Sequence, residues 1–193
     1  MINNLEQIKQ LLEFKSEDEF YFLQLIQRKK EIAGLGSNNH VVHTYYITSK
    51  ENLELKFPEI QLLCNFHNAR AYINLNKRSF KKLAFKNLQK VADQILNEDY
   101  KSVRRAYNSV AGKFSHDENK SWIIDIDHKR MREINDFIVA VDKRNPVGSK
   151  YIALIETKNG YHYICKPFNR MFSSDFIYDY EIHTNNPTIL YVP

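Results

Sequence analysis

"KYIALIETKNGYHYICKPF", residues 150–168, carries the strongest local signal in the chain. Asn159-Gly160 is flanked by Ile152, Leu154 and Ile155 on one side and by Tyr161, Tyr163 and Ile164 on the other, which predicts a β-hairpin closed by a type I′ turn. With those two residues as the turn, Lys158 lies opposite Tyr161 and Thr157 opposite His162. Strand alternation then sets Thr157 and His162 on one face, Glu156 and Tyr163 on the other. A histidine so placed either packs or does chemistry, and its neighbours in the sheet decide which.

Outward from the hairpin, "SWIIDID" (121–127) reads as a strand and "HKRMREINDFIVAV" (128–141) as a helix with Met131, Ile134, Ile138 and Val141 inward. "NRMFSSDFIYDY" (169–180) is a short helix or turn, and "PTILYVP" (187–193) a final strand. This alternation predicts a mixed sheet backed by helices. Upstream, "LEQIKQLLEF" (5–14) and "SEDEFYFLQLIQRKKEI" (16–32) have apolar residues at helical spacing, and Ser16 with Glu19 forms a capping-box signature for the second helix, which ends at "GLGSNN" (34–39). "HVVHTYYIT" (40–48) is β-branched and aromatic, hence a strand; "SKENLELKFPEIQLLCNFHN" (49–68) reads as helix with a break near Pro58; "ARAYINLN" (69–76) is a further strand. Phe80, Leu83, Ala84, Leu88, Val91, Ala92 and Ile95 make one apolar stripe with Lys81, Lys82, Lys86 and Lys90 largely off it, and "YKSVRRAYNSVAGKF" (100–114) is another short basic helix. The expected fold class is α+β. A helical, mixed and basic N-terminal lobe (1–115) joins a second lobe (120–193) within one domain spanning 1–193.

The chain has 193 residues, 43% hydrophobic and 26% charged, as befits one globular domain with a single core. Lys+Arg 28 against Asp+Glu 23 gives a net charge of +5, with positives clustered in 77–90 and 101–105, so nucleic acid or a phosphorylated ligand is the partner class to expect. Cys64 and Cys165 lack the spacing of a zinc site or a disulfide framework and read as thiols in a reducing cytoplasm. No apolar run approaches the roughly 20 residues of a membrane span, and "MINNLEQIKQ" has no signal-peptide character. A cytoplasmic protein without membrane contact is expected.

Asp125 and Asp127 are two apart at the end of an apolar strand, so both carboxylates project from one face. Two close carboxylates repel each other unless a cation sits between them, which makes the pair a natural Mg²⁺ or Mn²⁺ site. The alternative is that they cap the following helix. For His162 the alternatives are a packed strand histidine or a phosphate contact, the latter favoured by Thr157, Lys158 and Lys166, which supply a hydroxyl and positive charge nearby. Downstream, Asp179 and Glu181 share a face if their stretch is extended, while Asp175 reads as a helix or turn residue.

A strand ending in "DID", a hairpin bearing "TKNGYHYI", an acidic strand and a closing "TILYVP" together resemble the catalytic core of the archaeo-eukaryotic primase and primase-polymerase superfamily. The resemblance covers 121–193. It implies an RRM-like βαββ sheet that holds divalent metal and a histidine that contacts the phosphates of an incoming nucleoside triphosphate. Carried over by position, Asp125, Asp127 and His162 are the catalytic residues, with Thr157, Lys158 and Lys166 beside His162 in nucleotide binding. The metal carboxylates are Asp125, Asp127 and Glu181, with Asp179 the alternative to Glu181. The family's closing strand usually bears an arginine, and "ILYVP" has none.

Two further readings concern the basic and histidine-bearing stretches. Arg70, Lys77, Arg78, Lys81, Lys82, Arg104 and Arg105 form either a nucleic-acid surface or solvated helix faces, and Tyr72, Tyr100 and Tyr107 are either stacking platforms for single strands or core. His43-Thr44 and His183-Thr184 superficially suggest paired phosphodiesterase motifs, but adjacent residues on a strand point to opposite faces. The expected function is a primase-polymerase-like nucleotidyltransferase using a nucleoside triphosphate and a divalent cation on nucleic acid. The alternatives are a catalytically degenerate nucleic-acid- or nucleotide-binding accessory protein and a metal-dependent nuclease.

Overall fold

The structure, a computed structural model, describes residues 1–31, 38–113, 120–170 and 180–193. It is an α+β fold with two sheets. The first contains β1 (Ile2–Asn3), β2 (Glu19–Gln27), β3 (His40–Ile47), β4 (Arg70–Ile73), β5 (Arg78–Ser79) and β10 (Thr188–Val192), in the order β1-β10-β4-β2-β3 with β5 paired to the start of β2. The second contains β6 (Trp122–Ile126), β7 (Tyr151–Glu156), β8 (Tyr161–Cys165) and β9 (Glu181–His183), in the order β7-β8-β6-β9. The helices are α1 (Leu5–Leu11), α2 (Lys50–His67), α3 (Phe80–Leu96), α4 (Tyr100–Val103), α5 (Ala106–Lys113) and α6 (Met131–Asp142).

All pairings among the described strands are antiparallel, which corrects the expected mixed sheet. The reason lies in the hairpin. The chain leaves β6, crosses by α6 to the sheet's edge as β7, and then returns as β8 between the two, so no parallel neighbours are left in contact.

The largest correction concerns residues 16–32, expected to be helical: Glu19–Gln27 is a strand. Phe20 and Phe22 face α3 and α5, packing with Leu83 and Ala111, while Tyr21, Leu23 and Leu25 face the main core. A strand buried on both faces shows an unbroken apolar run, and periodicity cannot separate such a run from a helix. Ser16 and Glu19 close a turn ahead of the strand, the Glu19 N–H donating to the Ser16 carbonyl at 3.2 Å. The N-terminal region is thus built on a sheet rather than on helices.

Smaller differences follow similar logic. Helix α2 runs unbroken through Pro58, which sits on its exposed side where water can take the carbonyl that the proline ring leaves unpaired. It starts at Ser49, whose hydroxyl accepts from the Asn52 N–H at 2.9 Å, and ends at Asn68 in the left-handed region (φ 48°). The basic helix expected over 100–114 is two pieces, α4 and α5, parted at Arg104 and Arg105. In α6 the buried residues are Ile134, Phe137 and Val141, while Met131 is exposed.

The hairpin itself is slipped from its expected register. Glu156 opposes Tyr161 and Ile155 opposes His162, so the turn holds four residues, 157–160, closed by Thr157 N–H donating to Gly160 O at 2.9 Å. Neither Asn159 nor Gly160 has positive φ, so the turn is not type I′. Gly160 serves a different need. A Cβ there would overlap the Ile126 carbonyl oxygen and lie 2.6 Å from the His128 nitrogen, so only glycine lets the turn rest on the backbone either side of Asp127.

One core joins the two sheets: Ile123, Ile155 and Ile164 of the second pack with Leu23, Ile73, Leu190 and their neighbours of the first. The opposite face of the second sheet, Ile124, Ile126 and Tyr163, packs on α6. Buried asparagines tie the sheets polar group to polar group. Asn4 Nδ2 donates to the Glu156 and Ile189 carbonyls, both at 3.0 Å, and Asn76 accepts from the Ser121 N–H at 2.7 Å and donates to the Ser121 carbonyl at 3.1 Å. Strand β10 belongs to the first sheet, where it separates β1 from β4.

Candidate functional site

Within β6, odd-numbered residues face the first sheet and even-numbered ones face α6, which puts Ile123 and Asp125 on the inner side. Register then assembles a row across three strands. Asp125 is opposite His162 on β8 and opposite Glu181 on β9, and His183 is opposite Ile123 one step along. These side chains open into a cleft of about 710 Å³ between the sheets, which Asp127, Thr157 and Lys158 also line. The other wall comes from the first sheet: Arg28 and Lys30 just past the end of β2, and Arg70 and Tyr72 on β4.

His162 is held by both sheets. Its Nδ1 is 2.9 Å from the hydroxyl of Thr188, a fully buried residue of β10, and its Nε2 is 3.6 Å from Asp125 Oδ1. Burial, with the nearby His183 adding to it and Asp127 opposing, pushes His162 down to about 4, so the ring is neutral at physiological pH and its contact with Asp125 is not an ion pair. With its proton on Nε2 the ring turns an N–H toward the Asp125 carboxylate and presents Nδ1 as acceptor to the Thr188 hydroxyl, the tautomer that suits both neighbours.

Asp125 is held above the ordinary carboxylate range, first by burial and then by the negative charge of Asp127, with Glu181 adding to the effect and His183 and Arg28 opposing it. Acidic groups that disfavour one another's ionisation lower their energy by sharing a cation. Among the described residues no group of three or more His, Cys, Asp or Glu is set closely enough to chelate an ion unaided. Mg²⁺ commonly takes one or two carboxylates and completes its shell with water and substrate phosphate oxygens, and the cleft offers carboxylates from Asp125, Asp127 and Glu181 along one edge.

Other residues singled out from the sequence divide sharply. Thr157 is buried and its Oγ1 accepts from the Gly160 N–H at 3.1 Å, so it shapes the turn as well as lining the cleft. Lys166 lies past the far end of β8, its N–H bonded to the Lys150 carbonyl at 2.8 Å; four residues along a strand is roughly 13 Å from His162, and it does not border the cleft. Lys77 and Arg78 are not surface groups. Lys77 Nζ pairs with Glu19 Oε1 at 3.1 Å, and Arg78, fully buried over the Phe22 ring, donates to the Asn76 carbonyl at 2.7 Å and to those of Ala111 and Gly112. Desolvation lowers Arg78 to about 10 and a phosphate cannot reach it. Arg70 faces the cleft but is paired with Glu31, Nε to Oε2 at 3.0 Å. Lys81 and Lys82 are exposed on α3, and Arg104 and Arg105 are exposed in the turn between α4 and α5. Asp175 and Asp179 lie outside the described residues.

Sequence reasoning missed Arg28, Lys30 and His183. The first two are legible only once 19–27 is taken as a strand, since "QRKK" then becomes a basic strand end aimed along the sheet. His183 follows Glu181 by two residues and so shares its face. Comparison with protein-family models, with curated proteins and with solved structures found no match.

Proposed function

We propose that the chain is a primase-polymerase-like nucleotidyltransferase that joins a nucleoside triphosphate to the 3′-hydroxyl of a nucleic acid with the help of Mg²⁺ or Mn²⁺. The observation that carries the reading is the row Glu181, Asp125 and His162 on three adjacent strands, facing Arg28, Lys30 and Arg70 across one cleft. The order of the second sheet supports it. Its first strand in the chain is central, the third lies beside it, and the second and fourth are at the edges, the order of an RRM-like sheet over 122–183, while β10, expected in the same lobe, joins the first sheet.

In this reading Asp125, Asp127 and Glu181 hold the cation, which when bound polarises phosphate oxygens and lowers the pKa of the attacking hydroxyl. The 3′-oxygen attacks the α-phosphorus, pyrophosphate departs, and the hydroxyl proton passes to a cleft carboxylate or to water. His162 donates from Nε2 to a phosphate oxygen. Lys158, Arg28 and Lys30 neutralise the remaining phosphate charge, and Tyr72 on the floor of the basic wall offers a ring for a base. Exposed Lys81, Lys82, Arg104 and Arg105 extend the positive surface for nucleic acid. Primer extension and priming with labelled nucleotides and Mn²⁺ test the proposal, with the Asp125→Ala, Asp127→Ala variant beside the wild type. Metal-dependent product from wild type alone is the expected result.

A second reading, a nucleotide- or nucleic-acid-binding module without turnover, is favoured by the absence among the described residues of a ready-made chelating group. Triphosphate binding by calorimetry with no product in the extension assay would select it.

A further inference from the structure

We propose that α3 is a dimerisation helix, through which two copies of this chain pack antiparallel about a two-fold axis. The case starts from a split stripe. Of the expected apolar stripe of α3, Phe80 and Leu83 pack inward with Phe20 and Phe22, whereas Leu88 and Ile95 are 66% and 49% exposed and Ala84 and Ala92 are exposed too, joined by Phe85 and Leu96 at 63% and 82%. By the 3.6-residue period these six lie along one side of the helix. The side turned inward buries only Leu83 and Gln94, and the Gln94 and Asn87 side-chain oxygens there have no hydrogen-bond partner among the described residues. A contiguous apolar face left in water, opposite an inward side that buries a glutamine, marks a surface that a partner covers.

Charge selects what covers it. Lys81, Lys82, Lys86 and Lys90 occupy the first three turns of α3, whereas Asp93 and, just past the end, Glu98 and Asp99 are acidic. A second α3 lying antiparallel brings the basic end of each copy to the acidic end of the other. With Leu88 set against Ala92 of the second copy, Phe85 meets Ile95, Ala84 meets Leu96 and Lys81, on the same side of the helix, comes beside Asp99 just past the end. Large side chains thus face small or complementary ones, and each contact occurs twice, as an isologous interface demands. Over 17 residues the seam is about 25 Å long. Helix α2 also exposes apolar side chains, Leu55, Leu62 and Phe66, but it is bordered by Glu51, Glu54 and Glu59 with its Lys56 already beside Glu59, so a second copy of α2 meets it with like charge.

Sedimentation equilibrium of the full chain from low to high micromolar concentration reads the outcome. The expected result is a concentration-dependent rise from 22.9 kDa to twice that mass. Leu88→Glu should weaken association by more than about 100-fold, because a carboxylate is buried unpaired on each side of the seam, with an unchanged far-UV spectrum. Lys81→Asp alone and Asp99→Lys alone should each weaken it roughly fivefold at low salt. The two together in one chain should restore it, since each copy then offers the reversed pair. Leu62→Glu on α2 should leave association unchanged. A wild type that remains a single chain at every concentration overturns the proposal, even if α3 captures an acidic amphipathic peptide. So does association that survives Leu88→Glu, or a double charge variant no better than its singles.

Discussion

The two walls of the cleft are built on different principles. The acidic wall is a ladder: Asp125, His162 and Glu181 are fixed relative to one another by the pairing of β6 with β8 and β9, and no loop intervenes between them. The basic wall is a set of long side chains reaching in from near the ends of β2 and β4, with Arg70 steadied by Glu31. In the proposed nucleotidyltransferase, backbone register would align the reacting groups, and the arginine and lysine stems would serve for phosphate capture, losing rotamer freedom only on binding. Substitutions on the acidic wall should therefore cost turnover, and those on the basic wall should cost affinity.

The largest expected effect is at the acidic wall. Asp125→Ala with Asp127→Ala should lower nucleotidyl transfer by on the order of a thousandfold, the worth of several kcal/mol of charge stabilisation. The same variant should melt no lower than wild type at pH 7, because Asp125 is held above its ordinary pKa by burial and by Asp127, so its ionised form opposes folding. A marked loss of melting temperature would make the pair a structural cap and erase the contrast between the walls.

Next is a pH effect peculiar to His162. Its pKa is depressed from 6.5 in the unfolded chain to about 4 when folded, so between those values the unfolded chain binds more protons and stability rises with pH. Acidification from 6.5 to 4 should remove about 3 kcal/mol through this one group, an effect fully absent above 6.5. Asp125, shifted the other way, works against it at the acid end. Urea midpoints across that window should show a shallower slope for His162→Gln than for wild type; equal slopes would mean the ring is solvated.

On the basic wall, Arg28→Ala and Lys30→Ala should each weaken triphosphate binding about tenfold, close to 1.4 kcal/mol apiece, and leave turnover at saturating nucleotide within a factor of a few. A fall in kcat with unchanged KM would move these residues to the acidic wall's class. Smallest of all is Thr188→Val, which removes the donor to His162 Nδ1 and should cost about 1 kcal/mol of stability. Nitrogen NMR of the His162 ring distinguishes its role: wild type should show the Nε2–H tautomer alone and the variant a mixture.

How far the sequence revealed this site depended on how local its signals were. "WIIDID" and the hairpin announce themselves because an acid-tipped apolar strand and an Asn-Gly turn are short-range patterns, and the placing of β6 and both hairpin arms in one sheet followed from them. The turn type failed because Gly160 answers to a contact with Ile126 and His128, distant in sequence. Residues 19–27 failed for a related reason, since a strand buried on both faces carries no alternation to read. Arg78 looked like surface because only the tertiary fold reveals the carbonyls of Asn76, Ala111 and Gly112 that hold it inside. The stripe on α3 was real, but an amphipathic pattern declares that a face will be covered, without declaring by what.

Strand β10 has a consequence for synthesis. Its pairings are Thr188 with Ile73, Ile189 with Tyr72 and Tyr191 with Ala71, and among the described strands β1 pairs with it alone, Ile2 opposite Val192. More than a hundred residues separate these partners. On the ribosome, β1 therefore waits unpaired until residues 188–192 emerge, and the side of β4 turned away from β2 stays an open edge. Loop closures of that length are slow, and an exposed strand edge recruits other nascent chains. Thr188, which contacts His162 from this strand, makes orientation of the histidine wait on the same pairing, so a chain not yet extended past residue 188 has neither a closed first sheet nor an oriented histidine.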